Sequence, residues 1–77
     1  MAEKQRFSPA EALRLGKDIA QQRRNARLTQ ERLAEILKIT TRHMQKIEAG
    51  GRVPSLHLLA DLRRVLKISW EDLFKEV

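Results

Sequence analysis

The sequence predicts an all-α protein, a compact bundle of five short helices, and three observations carry that prediction. Its 77 residues hold only three Gly and two Pro, too few turn formers for a many-stranded sandwich. No segment alternates cleanly between apolar and polar residues, as a half-buried strand would. Apolar residues instead recur three and four apart, each run preceded by a Ser or Thr placed to cap a helix.

Residues 1–7 read as a flexible N-terminal arm, and residues 8–77 as a single domain. Ser8 is a cap, Pro9 suits the first helical position, and Glu11 is placed to close a capping box. That helix should reach about residue 24, with Ala12, Leu15, Ile19, Arg23 and Ala26 along one face. Thr29 caps a second helix over residues 30–37, with Leu33, Ala34 and Leu37 inward. Thr40 caps a third over residues 41–49, with Met44 and Ile47 inward, and Gly50-Gly51 stops it. Ser55 starts a fourth, to about residue 66, on a stripe of Leu59, Leu62 and Leu66. Ser69 caps the last, residues 70 to about 75, where Glu71 and Asp72 suit the positive N-terminal end of the helix.

Composition narrows the function. A chain of this size buries only about 60% of its unfolded surface, so its core is thin, and with no cysteine it has neither disulfides nor Cys-ligated zinc. The longest apolar run is three residues, which excludes a membrane-spanning helix or signal-peptide core. The expected setting is therefore the cytoplasm. His43 and His57 lack metal-ligand spacing, and no Gly-rich phosphate loop or paired catalytic constellation is present, so neither a metal, a cofactor nor an enzyme is expected. The basic first helix has no bulky aromatics and its apolar face is needed for the core, which argues against membrane binding. The net charge is +6, and all of the excess lies in the first two thirds. Residues 1–28 carry +4, residues 29–53 carry +2, and residues 54–77 are neutral. A basic half joined to a neutral, packing half points to a polyanionic partner.

The two helices of residues 30–49 sharpen this. Ala34 sits where they cross, Leu33, Leu37, Ile39, Met44 and Ile47 join them, and Thr41, Arg42, Gln45 and Lys46 are left outward. This is the pattern of a helix-turn-helix, whose second helix enters the major groove. An ordinary corner of two helices with a solvated polar face would share much of it. The detailed register is more specific. Leu28-Thr29-Gln30-Glu31-Arg32-Leu33-Ala34-Glu35, Ile39-Thr40-Thr41, Met44-Gln45-Lys46-Ile47-Glu48-Ala49-Gly50, Pro54-Ser55-Leu56 and the run Leu66 through Phe74 together resemble the lambda-repressor/Cro family, the Xre-type helix-turn-helix transcription regulators. The resemblance covers roughly residues 13 to 75.

What the resemblance implies is a lambda-repressor-like five-helix bundle that binds a palindromic double-stranded DNA operator as a homodimer. Thr41, Arg42, Lys46 and Gln45 would contact bases, Arg42 being suited to guanine. Thr29, Gln30, Thr40 and His43, with Arg27 and Arg52 flanking, would contact phosphates. Similar proteins pair an Arg of the first helix with a Glu ending the recognition helix, here Arg23 and Glu48, which would account for an arginine on an apolar face. Phe74 and Val77 are the expected dimer contacts, with Trp70 and Leu73 mostly inward. Arg27, Lys38 and Lys67 stand where the family often has Gly, so those turns are expected to differ slightly, and Arg63, in place of Ala, should extend outward. Similar small proteins also serve as antitoxins, so the alternative is a protein-interaction module that holds a toxin or another partner.

Overall fold

The computed structural model describes residues 7–77. Five helices follow in order: α1 (Pro9–Asn25), α2 (Gln30–Leu37), α3 (Thr41–Glu48), α4 (Leu56–Leu66) and α5 (Trp70–Leu73), with no strand among the described residues. Every helix begins at a hydroxyl. Ser8, Thr29, Thr40, Ser55 and Ser69 each accept a hydrogen bond from the backbone N–H three residues on, at 3.0–3.1 Å. At α1 the Glu11 carboxylate accepts in return from the Ser8 N–H at 2.8 Å, completing a capping box. Each cap contributes about 1 kcal/mol, a useful sum for helices as short as eight residues.

The ends of the helices correct one expectation. Arg27, Lys38 and Lys67 have φ of 60°, 61° and 57°, so the turns keep the left-handed conformation that Gly would have adopted freely. Backbone hydrogen bonds hold them there. Leu28 N–H donates to Arg23 C=O, Ile39 N–H to Ala34 C=O, and Ile68 N–H to Arg63 C=O, the six-residue closure of a Schellman turn. Because Leu28, Ile39 and Ile68 then pack on the core, burial of the next residue outweighs strain of about 1 kcal/mol at the turn.

Leu15, Ile19, Leu33, Met44, Ile47, Leu62 and Leu73 form the fully buried centre. α1 packs on α3 and α5, while α2 packs on α3 and α4. Ala34 is buried, as its place at the α2–α3 crossing requires. Asp18 is a buried carboxylate whose Oδ2 accepts from the Glu76 N–H at 2.8 Å, tying the C-terminal segment to α1.

Several packing expectations need correcting. Trp70 is 42% exposed: α5 turns Leu73 into the core, and the indole lies outside, against the Phe74 ring at 6.1 Å. Arg63 does not extend outward, because its guanidinium lies 5.3 Å over the Trp70 ring, a cation–π contact that also shields the indole. Ala26 is exposed, since α1 has ended at Asn25, and α5 stops at Leu73, short of residue 75. Phe7, read as part of the arm, packs on the core and stacks on Phe74 with centroids 6.3 Å apart. The rest of that arm, residues 1–6, lies outside the described residues.

Candidate nucleic-acid interface

α3 buries only Met44 and Ile47, three residues apart on one stripe. Apart from Glu48, whose side chain is 7% exposed, the rest of its two turns faces outward or sideways. Arg42, Gln45 and Lys46 are exposed, and Thr41 and His43 are half-buried. A helix with so narrow an apolar stripe is held by its neighbours rather than by its own propensity. Its polar face is therefore presented by the fold.

At the N-terminal end of α3, Thr40, Arg42, His43, Lys46 and Arg52 line an open hollow of about 230 Å³. Three of the five are cations and none is an acid. The Thr40 hydroxyl accepts from His43 N–H and keeps its own hydrogen to donate. The first backbone N–H groups of α3 and the positive end of its dipole lie at the same end, an arrangement suited to an anion. The hollow unites two of the residues read as base contacts, Arg42 and Lys46, with three read as phosphate contacts, Thr40, His43 and Arg52. Thr41 and Gln45 lie on α3 outside its lining. Thr29 and Gln30 stand at the start of α2, and Arg27 is exposed in the α1–α2 turn.

The other end of α3 is gripped. Arg23 Nε donates to Glu48 Oε2 at 2.7 Å and Nη2 donates to Oε1 at 3.1 Å. The two side chains are only 12% and 7% exposed. Arg23 Nη1 also donates to Leu28 C=O at 2.8 Å, and Gln30 Nε2 donates to Glu48 Oε1 at 2.9 Å. One carboxylate at the end of α3 thus joins α1 and the start of α2. A buried charge is tolerated because each of its oxygens is engaged by a donor. Gln30, read as a phosphate contact, spends one of its amide hydrogens on this brace.

The same end rests directly on the backbone of α1. A Cβ at Gly16 would lie 2.5 Å from Ile47 O and 2.6 Å from Glu48 O, and a Cβ at Gly50 would lie 2.8 Å from the Cα of Leu13. Neither contact was anticipated from sequence. The available signal was a glycine within a 17-residue helix, where Gly costs about 1 kcal/mol relative to Ala and so implies a compensating close approach.

Phe74 and Val77, read as dimer contacts, differ in setting. Val77 is exposed, while Phe74 is half-buried between the Phe7 and Trp70 rings. Trp70 and Leu56 are further exposed apolar side chains. Among the described residues no group of His, Cys, Asp and Glu side chains is placed to hold a metal ion, and no helix is long and apolar enough to cross a membrane.

A family model described as helix-turn-helix matches residues 19–73, well over half of the chain. No curated protein matches it. The chain belongs to this helix-turn-helix family, the DNA-binding regulatory domains of lambda-repressor/Cro, Xre-like type.

Proposed function

We propose that this helix-turn-helix protein is a sequence-specific transcriptional regulator of the repressor type, acting in the cytoplasm as a homodimer on a palindromic DNA site. The observation that carries the reading is the acid-free hollow of Thr40, Arg42, His43, Lys46 and Arg52 at the N-terminal end of an otherwise solvent-facing α3. α3 lies in the major groove. Arg42 reaches guanine O6 and N7, and Lys46, four residues on along the helix, reaches a neighbouring pair, with Thr41 and Gln45 beside them. Thr40, His43 and Arg52 take the flanking phosphates on one side. Thr29, Gln30 and Arg27 take them at the start of α2.

The second copy is a further part of the proposal. Val77, Trp70 and the edge of Phe74 supply apolar surface in the neutral third of the chain. A two-fold dimer places its two recognition helices about 34 Å apart, one duplex turn.

Selection from a random duplex pool tests both parts. The expected result is one enriched sequence made of two inverted half-sites one turn apart. A single enriched half-site overturns the dimer. Arg42→Ala should then cost about 1–3 kcal/mol on the selected site and relax preference at one position. Arg52→Ala should weaken all duplexes alike and lower the salt slope by about one. Absence of any enriched sequence, with neither variant affecting duplex binding, would favour the protein-interaction reading instead.

A further inference from the structure

The exit of α3 is held by a single stripe of α1. Leu13, Gly16 and Arg23 lie three and seven residues apart, and each meets the end of α3: the backbone of Leu13 faces Gly50, Gly16 faces the carbonyls of Ile47 and Glu48, and Arg23 pairs with the Glu48 carboxylate. Two of these three contacts are backbone against backbone. Side chains adjust by changing rotamer, but two packed backbones have no such freedom. The height and tilt of α3 over α1 are thus fixed by what is missing at residue 16.

We propose that Gly16 is a positioning residue for DNA recognition: the lack of a side chain there sets the pose of α3, and with it the register of its base-reading side chains. The inference rests on the reading of α3 as the base-contacting helix. A methyl group at residue 16 would stand 2.5 Å from Ile47 O, 2.6 Å from Glu48 O and 2.9 Å from Glu48 C, where ordinary contact begins near 3.4 Å. Relief requires a movement of about 0.9 Å at the carbonyls, the difference between 3.4 and 2.5 Å. Arg23 and Glu48 resist a simple translation, because their two parallel hydrogen bonds hold the end of α3 seven residues further along α1. The displaced helix therefore tilts about that ion pair. Bidentate hydrogen bonds to a base edge tolerate little misplacement, whereas contacts to phosphates by flexible cations tolerate much more. Loss of the glycine should consequently reduce discrimination while leaving non-specific affinity in place.

The experiment compares Gly16→Ala with Val65→Ala, a half-buried position on α4 away from α3, on the selected duplex and on a random duplex. The expected result for Gly16→Ala is a specific-to-random affinity ratio lowered by roughly tenfold to a hundredfold, with random-duplex affinity, salt slope and helical circular dichroism near wild type. Val65→Ala should lose stability but keep the ratio. An unchanged ratio in a folded Gly16→Ala protein overturns the inference. Should Gly16→Ala alone unfold, it is repeated together with Lys67→Gly, which relieves a left-handed turn at the end of α4. A chain still unfolded in that background makes Gly16 a folding requirement and likewise overturns the positioning role. If the wild type itself shows no preference among duplexes, the reading of α3 fails first, and the positioning role with it.

Discussion

α3 and α4 end in the same turn, yet one closes it with glycine and the other with lysine. At the end of α3, Gly50 has φ 81° and the Gly51 N–H donates to Lys46 C=O at 2.9 Å. At the end of α4, Lys67 has φ 57° and the Ile68 N–H donates to Arg63 C=O at 3.2 Å. The difference lies outside the turns. A Cβ at Gly50 would meet the Cα of Leu13 at 2.8 Å, whereas Lys67 is exposed. Hydrogen bonds dictate the left-handed conformation in both places, and only the packing against α1 dictates which residue can supply it. The carboxylates of the two helices repeat the contrast. Glu48 is buried and receives Arg23 and Gln30. Asp61, half-buried, pairs within its own helix with Arg64, which is 66% exposed. The end of α3 is tied to α1 and α2 by backbone contact and a buried carboxylate, whereas the end of α4 is closed by its own turn and by the burial of Leu66 and Ile68.

The largest expected effect tests that statement directly. Arg23→Ala leaves the Glu48 carboxylate buried with Gln30 alone, at a cost of roughly 3–5 kcal/mol. Arg64→Ala removes a solvent-exposed partner from Asp61 and should cost under about 1 kcal/mol. Urea denaturation of the two variants measures both. Comparable shifts in midpoint would erase the distinction between the two ends.

The next effect separates packing from turn conformation. Gly50→Ala carries a left-handed penalty of about 1–2 kcal/mol and drives a methyl group into Leu13, a kind of overpacking that costs about 1–3 kcal/mol. Together they predict a loss of about 2–5 kcal/mol. Lys67→Ala exchanges one left-handed side chain for another in open space, and its denaturation midpoint should stay close to wild type. A small loss at Gly50 would mean that α1 yields there, and that the end of α3 is less fixed than its contacts imply.

The contrast also explains what could be read from the sequence. The starts of the helices were legible because a cap is a local device: Ser8, Thr29, Thr40, Ser55 and Ser69 each serve the N–H three residues on. The apolar stripe of Met44 and Ile47 was legible for the same reason, since a period of 3.6 is a property of the segment alone. The turns at Arg27, Lys38 and Lys67 misled because the local preference of those residues opposes a conformation imposed by the burial of Leu28, Ile39 and Ile68. Trp70 misled because Leu73 takes the place in the core and the half-buried Arg63 stacks on the indole. Gly16 carried no sign of its partner, which lies 31 residues away at Ile47. Within the candidate interface, residue types on α3 were readable, whereas the hollow that joins Arg52 to Arg42 and Lys46 depends on how the loop after α3 returns.

The smallest effect has the opposite sign. Lys67→Gly should stabilise the protein, because the left-handed conformation costs an L-residue roughly 1–2 kcal/mol and costs glycine nothing. Two terms oppose the gain. Glycine gives the unfolded chain more freedom, worth about 0.4–1 kcal/mol, and the exposed lysine charge no longer interacts with the C-terminal end of the α4 dipole, worth about 0.3 kcal/mol. The net is a gain of about 0.5 kcal/mol, near 3 °C in melting temperature for a domain of this size. Lys67 is exposed, so the substitution acts on the turn. A thermal scan at low ionic strength should show the rise. A fall instead would mean that Lys67 is held in place by something beyond its turn, and the two helix ends would then differ in degree rather than in kind.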